Sequence, residues 1–227
     1  MGTDNFFHKK RARLDERKKE SLTPKPNSFL IVSEGKKTEP LYFDGLADYI
    51  NTKYGSSVNV EKPIIDTCGE GKCTVSLVEK TTEIVARARI LYSQVWVVFD
   101  KDDFNDFDEA ISLCNSLGYK AAWSNQSFEY WIYLHFHYSD SALHRDGWVD
   151  KLSNIYKSYE INENGYLKND ANIFNIATTK GSLKAAISNA YRINQTYENI
   201  SVPSKCDPCT TVHLLVNELK PYIEDLL

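Results

Sequence analysis

Phe29-Leu30-Ile31-Val32-Ser33-Glu34-Gly35 is a run of four apolar residues closed by a serine, an acid and a glycine. A short apolar run bounded by turn residues reads as a strand buried on both faces, in the interior of a parallel sheet. Downstream, Tyr42, Leu46, Tyr49 and Ile50 recur at helical spacing, with Thr38 placed to cap that helix and Pro40 tolerated in its first turn. A second strand is expected over residues 58–65. A Gly-bearing turn at 68–73 then leads into a long helix from residue 74 to about 91. The third strand, Val95-Trp96-Val97-Val98-Phe99, is β-branched and aromatic throughout and ends in Asp100-Lys101-Asp102-Asp103. A helix from about residue 107 follows, with Asp106 as its cap and Gly118 as its stop, and then a fourth strand over 119–123.

Strand and helix therefore alternate through the first half, the pattern of an α/β fold with a mainly parallel, helix-covered sheet of about four strands. Beyond it, helices are expected over 128–136, 148–159, 183–197 and 212–225. The organisation read from this is a basic N-terminal arm or linker over 1–28, an α/β core over 29–124, and a helical C-terminal part over 125–227 packed on the core. The apolar series Leu214, Leu215, Leu219, Ile223 and Leu226 reads as core rather than as a partner face.

Of the 227 residues, 42% are hydrophobic and 26% charged, which excludes disordered and fibrous classes. No apolar run approaches the roughly 18 residues of a membrane span, and the polar N-terminus lacks an apolar signal segment. A cytoplasmic protein with no membrane association is the expectation. Residues 1–28 hold eight Lys/Arg against four acids, a net +4, whereas the other 199 hold 19 against 27, a net −8. An acidic body with a basic leader does not suit a purely electrostatic DNA binder; it suits an acidic metal site with a short arm reaching nucleic acid. Five cysteines in such a chain are expected as reduced thiols. Cys68-x4-Cys73 with Cys206-x2-Cys209 is too loose a pattern to argue zinc strongly.

In open sheets of this class, function gathers beyond the carboxyl ends of the strands, where strand order reverses. Glu34 follows strand one, Asp100 and Asp102 follow strand three, and Glu39 and Asp103 lie close in sequence. Carboxylates crowded at one end of a buried sheet repel one another and lose solvation. A hard divalent cation, Mg²⁺ or Mn²⁺, relieves that conflict because carboxylate oxygens are its preferred ligands. The candidate metal set is Glu34, Glu39, Asp100 and Asp102, with Asp102 sharing the face of Asp100 if the strand continues through it. The plainer reading of each acid is a solvated residue at a strand end. Glu129, in the apolar segment Phe128-Glu129-Tyr130-Trp131, is either a helix-start acid or a further metal or base group. Lys36, Lys37, Lys72 and Lys101 fall at the same end and could contact a phosphate backbone or simply be solvated. Gly69-Glu70-Gly71-Lys72-Cys73-Thr74 lacks the first glycine and the Ser/Thr of a nucleotide-binding phosphate loop, which argues against nucleotide hydrolysis there.

Ser33-Glu34-Gly35 after the first strand, with Val97-Val98-Phe99-Asp100-Lys101-Asp102 after the third, resembles the Toprim domain of topoisomerases, primases and OLD-class nucleases. More closely, the chain resembles the RloB-like family, over roughly residues 28–220. The resemblance runs through Leu30-Ile31-Val32-Ser33-Glu34-Gly35-Lys36-Lys37-Thr38-Glu39-Pro40-Leu41-Tyr42-Phe43. It continues in Ser124-Asn125-Gln126-Ser127-Phe128-Glu129-Tyr130-Trp131 and in Asp207-Pro208-Cys209-Thr210-Thr211-Val212-His213. It implies a Toprim-like Rossmannoid core and divalent-metal-dependent cleavage of phosphodiesters in DNA or RNA, with DNA or tRNA as the nucleic-acid partner. Catalysis would fall to Glu34, Asp100 and Asp102, with Asp103 and Glu129 as additional acids. Similar genes sit in bacterial anti-phage abortive-infection loci beside an SMC-like or AAA-type ATPase, so such an ATPase is the partner the resemblance implies. A non-catalytic regulatory or nucleic-acid-binding subunit of an ATPase complex is the alternative. Homo-oligomerisation is left open.

Overall fold

The computed structural model describes residues 25–55, 64–69 and 74–227. Among the described residues, five strands form one sheet: β1 (Lys25–Ser33), β2 (Ile64–Gly69), β3 (Tyr92–Asp100), β4 (Lys120–Asn125) and the two-residue β5 (Cys209–Thr210). The order across the sheet is β2-β1-β3-β4-β5. The first three pairings are parallel and β4–β5 is antiparallel. The helices are α1 (Thr38–Tyr54), α2 (Thr74–Arg87), α3 (Phe107–Ser116), α4 (Phe128–Leu134), α5 (Arg145–Ser158), α6 (Ile173–Thr179), α7 (Leu183–Thr196) and α8 (Val212–Glu218). The fold is thus α/β with a mostly parallel sheet and a helical C-terminal part, as the alternation predicts.

The central strands alternate their side chains between two buried layers. Phe29 and Ile31 of β1, with Trp96 and Val98 of β3, pack under α1 and the helices of the C-terminal part. Leu30, Val32, Val95, Val97 and Phe99 pack on the other face against Leu77 and Val78 of α2 and Phe107 and Ala110 of α3. β1 and β3 are neighbours in parallel register, Ser33 opposite Val98. Strand order therefore reverses between them, and their carboxyl ends frame the switch point.

Several boundaries differ from the sequence reading. β1 already begins at Lys25, so residues 25–28, read as linker, are sheet; Pro24 precedes them and Pro26 lies among them, yet Lys25 pairs with Tyr92 of β3 and Ser28 with Ile64 of β2. β2 begins at Ile64, later than expected, because its pairing with β1 runs from Ser28–Ile64 to Ser33–Gly69; residues 56–63 lie outside the described region. α6 and β5 have too few residues to show a period. α8 stops at Glu218, followed by two 3-10 turns rather than a continuous helix. Thr38 is the first helical residue, and its hydroxyl bonds Glu129 Oε1 and Lys168 O instead of capping α1. Asp106 does not cap its own helix either; it accepts from the Thr74 hydroxyl and, at 3.2 Å, from the Val75 amide, and so caps α2. Gly118 ends the turn after α3 with φ +73°, a conformation open to glycine. No helix among the described residues is long and apolar enough to cross a membrane.

Candidate metal centre

Glu34 is the first residue beyond β1. Its amide donates to Val98 O at 2.9 Å, which carries the β1–β3 ladder one residue past the strand. Its carboxylate turns back across the switch point and accepts the Asp100 amide at Oε2, 3.2 Å away. Asp100, the last residue of β3, continues the face of Trp96 and Val98, so its side chain enters the layer that holds α1 and α4. There Asp100 Oδ2 accepts the Phe128 amide at 3.0 Å. α4 is fixed at this point by burial of all seven of its residues. Tyr42 of α1 anchors it with edge-on contacts to Phe128, Trp131 and His135.

Glu39, in the first turn of α1, is buried beside this pair. Its carboxylate lies against Gly35, where an added Cβ would stand 2.0 Å from Oε2. Gly35 is therefore what lets the Glu39 carboxylate approach the backbone after β1. Glu129, only 3% exposed, takes three partners at Oε1: Lys168 Nζ at 3.2 Å, and the hydroxyls of Thr38 and Tyr166, each at 3.4 Å. Glu129 is thus a first-turn acid of α4, as one of the two readings has it, and its ion pair holds the 166–168 loop.

The electrostatics follow from this crowding. Burial pushes the Glu34 carboxyl up to about 7; the Asp100 amide works against that, and Glu39, Asp102 and Asp106 add to it. Burial, followed by the charges of Glu39, Glu129 and Glu34, holds Asp100 well above the usual carboxylate range. Glu39 is also raised, by burial and then Glu129, with the Lys168 ammonium opposing. Three carboxyls at one end of the sheet thus share a deficit of positive charge.

Asp102 stands differently from expectation. β3 ends at Asp100, and residues 101–104 form a turn closed by Phe104 N donating to Lys101 O at 3.1 Å. Asp102 sits in it at φ +40°, a left-handed conformation that aspartate tolerates better than most residues. It does not share a strand face with Asp100, because no strand continues through it. Both its carboxylate oxygens instead bond Arg145, the first residue of α5. Asp103 is 80% exposed and lies 3.7 Å from the same guanidinium. Lys101 turns its ammonium to Asp102 O at 3.3 Å, and its charge opposes the burial that raises Asp207. Lys36 and Lys37 are exposed after β1; Lys72 lies outside the described residues, as do residues 70–73 of the glycine-bearing turn.

The donors suit a hard cation: they are carboxylate oxygens whose charged forms are disfavoured where they stand. The Ser127 hydroxyl, beside the Phe128 amide that binds Asp100, is buried and has no hydrogen-bond partner among the described residues. Among the described residues, no three His, Cys, Asp or Glu side chains already close on one point. Glu34 and Asp100 are linked through the Asp100 amide, and Glu39 and the Arg145-bound Asp102 both add to the negative field at Glu34.

His135 is a core residue: its Nε2 meets the Tyr42 hydroxyl at 3.1 Å and its Nδ1 the Trp131 carbonyl at 3.0 Å. His213 is buried against Thr210 O and Asn194, and burial brings both imidazoles down to about 4. His137 is exposed. Cys206 and Cys209 are buried free thiols; the sites of Cys68 and Cys73 that a zinc reading needs fall on side chains outside the described residues. Sequence reasoning missed Arg145, Lys168 and Tyr166. Each arrives from the helical part, more than 35 residues away in sequence from the acid it contacts, and no local pattern marks it.

Fold and site together define a doubly wound α/β protein with the half-buried Glu34 and Asp100 and the buried Glu39 and Glu129 clustered at the topological switch point. The chain belongs to the RloB-like protein family, whose model matches residues 29–219. No curated protein and no solved structure matches it.

Proposed function

We propose that the chain is a nuclease dependent on Mg²⁺ or Mn²⁺ that cleaves phosphodiester bonds of DNA or RNA. We propose further that it is the effector of a bacterial anti-phage abortive-infection system with an SMC-like or AAA-type ATPase. The observation that carries the enzymatic reading is the Glu34–Asp100 link at the switch point, with both carboxyls raised by burial and by each other's neighbours. Such acids gain by holding a cation, and with their Toprim-like placement Glu34 and Asp100 would hold it, Glu39 and Asp102 completing the set. A divalent ion held by these residues would supply polarisation of the scissile phosphate and stabilisation of negative charge on the leaving oxygen. The chain's own part is positional. The Phe128 amide orients Asp100, the Asp100 amide orients Glu34, and Gly35 leaves room for Glu39.

The test is cleavage of DNA and of tRNA with Mn²⁺, by the wild-type chain and by Glu34→Ala and Asp100→Ala, with and without the neighbouring ATPase. Loss in both variants supports the reading; cleavage surviving both removes this site from the chemistry. One observation favours a second reading, a regulatory subunit without catalysis: Asp102 is neutralised by Arg145. That reading predicts cellular protection that persists in Glu34→Ala while the ATPase complex stays intact.

A further inference from the structure

Arg145 contacts none of the buried acids, yet it occupies both oxygens of Asp102 and reaches toward Asp103. Four features give that contact the character of a resting position rather than a structural tie. Its partners lie in the turn beyond the end of β3, where Asp103 is 80% exposed and Asp102 half-buried with a left-handed φ. The Arg145 side chain is 39% exposed. It opens α5 directly after residues 137–144, which carry no regular structure. Asp102 also adds to the negative field felt by Glu34, so the guanidinium stands at the edge of the acidic cluster.

We propose that Arg145 is the phosphate-binding residue of this site and that its bond to Asp102 is the position it holds without metal or nucleic acid. The proposal rests on the metal-dependent reading above. The reasoning is competition for one carboxylate. A guanidinium and a divalent cation both bind carboxylate oxygens, and Asp102 cannot serve both with both oxygens. When Asp102 turns to a cation, Arg145 loses its partner beside an incoming phosphodiester, and a planar guanidinium binds phosphate with paired N–H groups as it binds carboxylate. The acidic body would otherwise repel nucleic acid here, so a released cation beside the acids also offsets that field.

The test has two binding readouts that need no turnover. Mn²⁺ affinity is measured by electron paramagnetic resonance for the wild-type chain, Arg145→Ala and Arg145→Lys. Binding of a short fluorescein-labelled DNA duplex, and of a tRNA in a parallel arm, is measured in EDTA for wild type, Asp102→Asn, Arg145→Ala and the double variant. Arg145→Ala is expected to bind Mn²⁺ about two- to five-fold more tightly, the range a partly exposed ion pair spans. Asp102→Asn is expected to strengthen nucleic-acid binding in one arm by about five-fold, one phosphate contact's worth, and to lose that gain in the double variant. Wild-type Mn²⁺ binding left unchanged by Arg145→Ala overturns the competition while the metal reading stands. A gain from Asp102→Asn that is equal with or without Arg145, or absent from both arms, overturns the phosphate role. If wild type and Arg145→Ala both fail to bind Mn²⁺, the metal reading itself falls and this inference with it.

Discussion

The Glu34 carboxylate accepts the backbone N–H of Asp100 at 3.2 Å, so the turn after β1 is fastened to the end of β3 by the acid that follows it. This one bond spans the switch point and sets two acids side by side where both are disfavoured as anions.

The first prediction concerns that cost. The folded-state pKa of Glu34, about 7, lies above its ordinary value, so its contribution to stability is present at acid pH and is lost as pH rises through about 7. Glu34→Gln keeps an acceptor for the Asp100 amide and removes the charge. In EDTA at pH 8 its Tm should exceed that of wild type by about 2–4 °C, roughly 1 kcal/mol for a chain of this size. The gain should vanish near pH 4.5, and Mn²⁺ should raise the Tm of wild type more than that of the variant. Differential scanning fluorimetry across pH checks both; a lower Tm for Glu34→Gln at pH 8 contradicts the argument.

The buried histidines act in the opposite sense. His135 and His213 are held neutral down to about 4, so the unfolded chain takes up protons at about 6.5 that the folded chain refuses. Their contribution is present above about 6.5 and is lost as pH falls toward 4. Urea unfolding of wild type against His135→Gln should show the wild-type advantage shrinking over that window.

Asp106 gives a test of capping across elements. Burial raises its carboxyl, but the Thr74 hydroxyl and Val75 amide more than offset that and leave it lowered. Asp106→Ala should cost about 1–2 kcal/mol, the range for losing an N-cap. Thr74→Ala should cost less in the Asp106→Ala background than alone, since the two share one bond. The Asp106 contribution should disappear as the carboxylate is protonated at low pH. Chemical denaturation of the four chains measures this coupling.

Lys168 is the cation that supports the buried Glu129. Lys168→Met should cost about 1–3 kcal/mol, less than for a fully buried pair because the lysine is half exposed. Adding Glu129→Gln should recover most of it, since the neutral amide no longer needs the ammonium. If the single lysine variant is as stable as wild type, Glu129 finds its compensation elsewhere.

What the sequence by itself determined is what local pattern carries. The apolar runs at 29–32 and 95–99, and the periodic residues between and after them, dictate buried strands alternating with helices, because strand and helix periods are written in consecutive residues. The same reading places Glu34 and Asp100 beyond the strands, and β1 beside β3 then makes them neighbours. The tertiary structure alone decided which acids meet which cations. Arg145 reaches Asp102 from 43 residues away and Lys168 reaches Glu129 from 39, through helices whose packing is fixed by apolar faces. It also decided that Asp106 serves α2 and Thr38 serves Glu129, although each stands where a cap of its own helix is expected. A polar side chain at a helix start bonds whatever donor or acceptor the fold brings nearest, and that neighbour is set by the packing of the whole chain, not by the residues beside it.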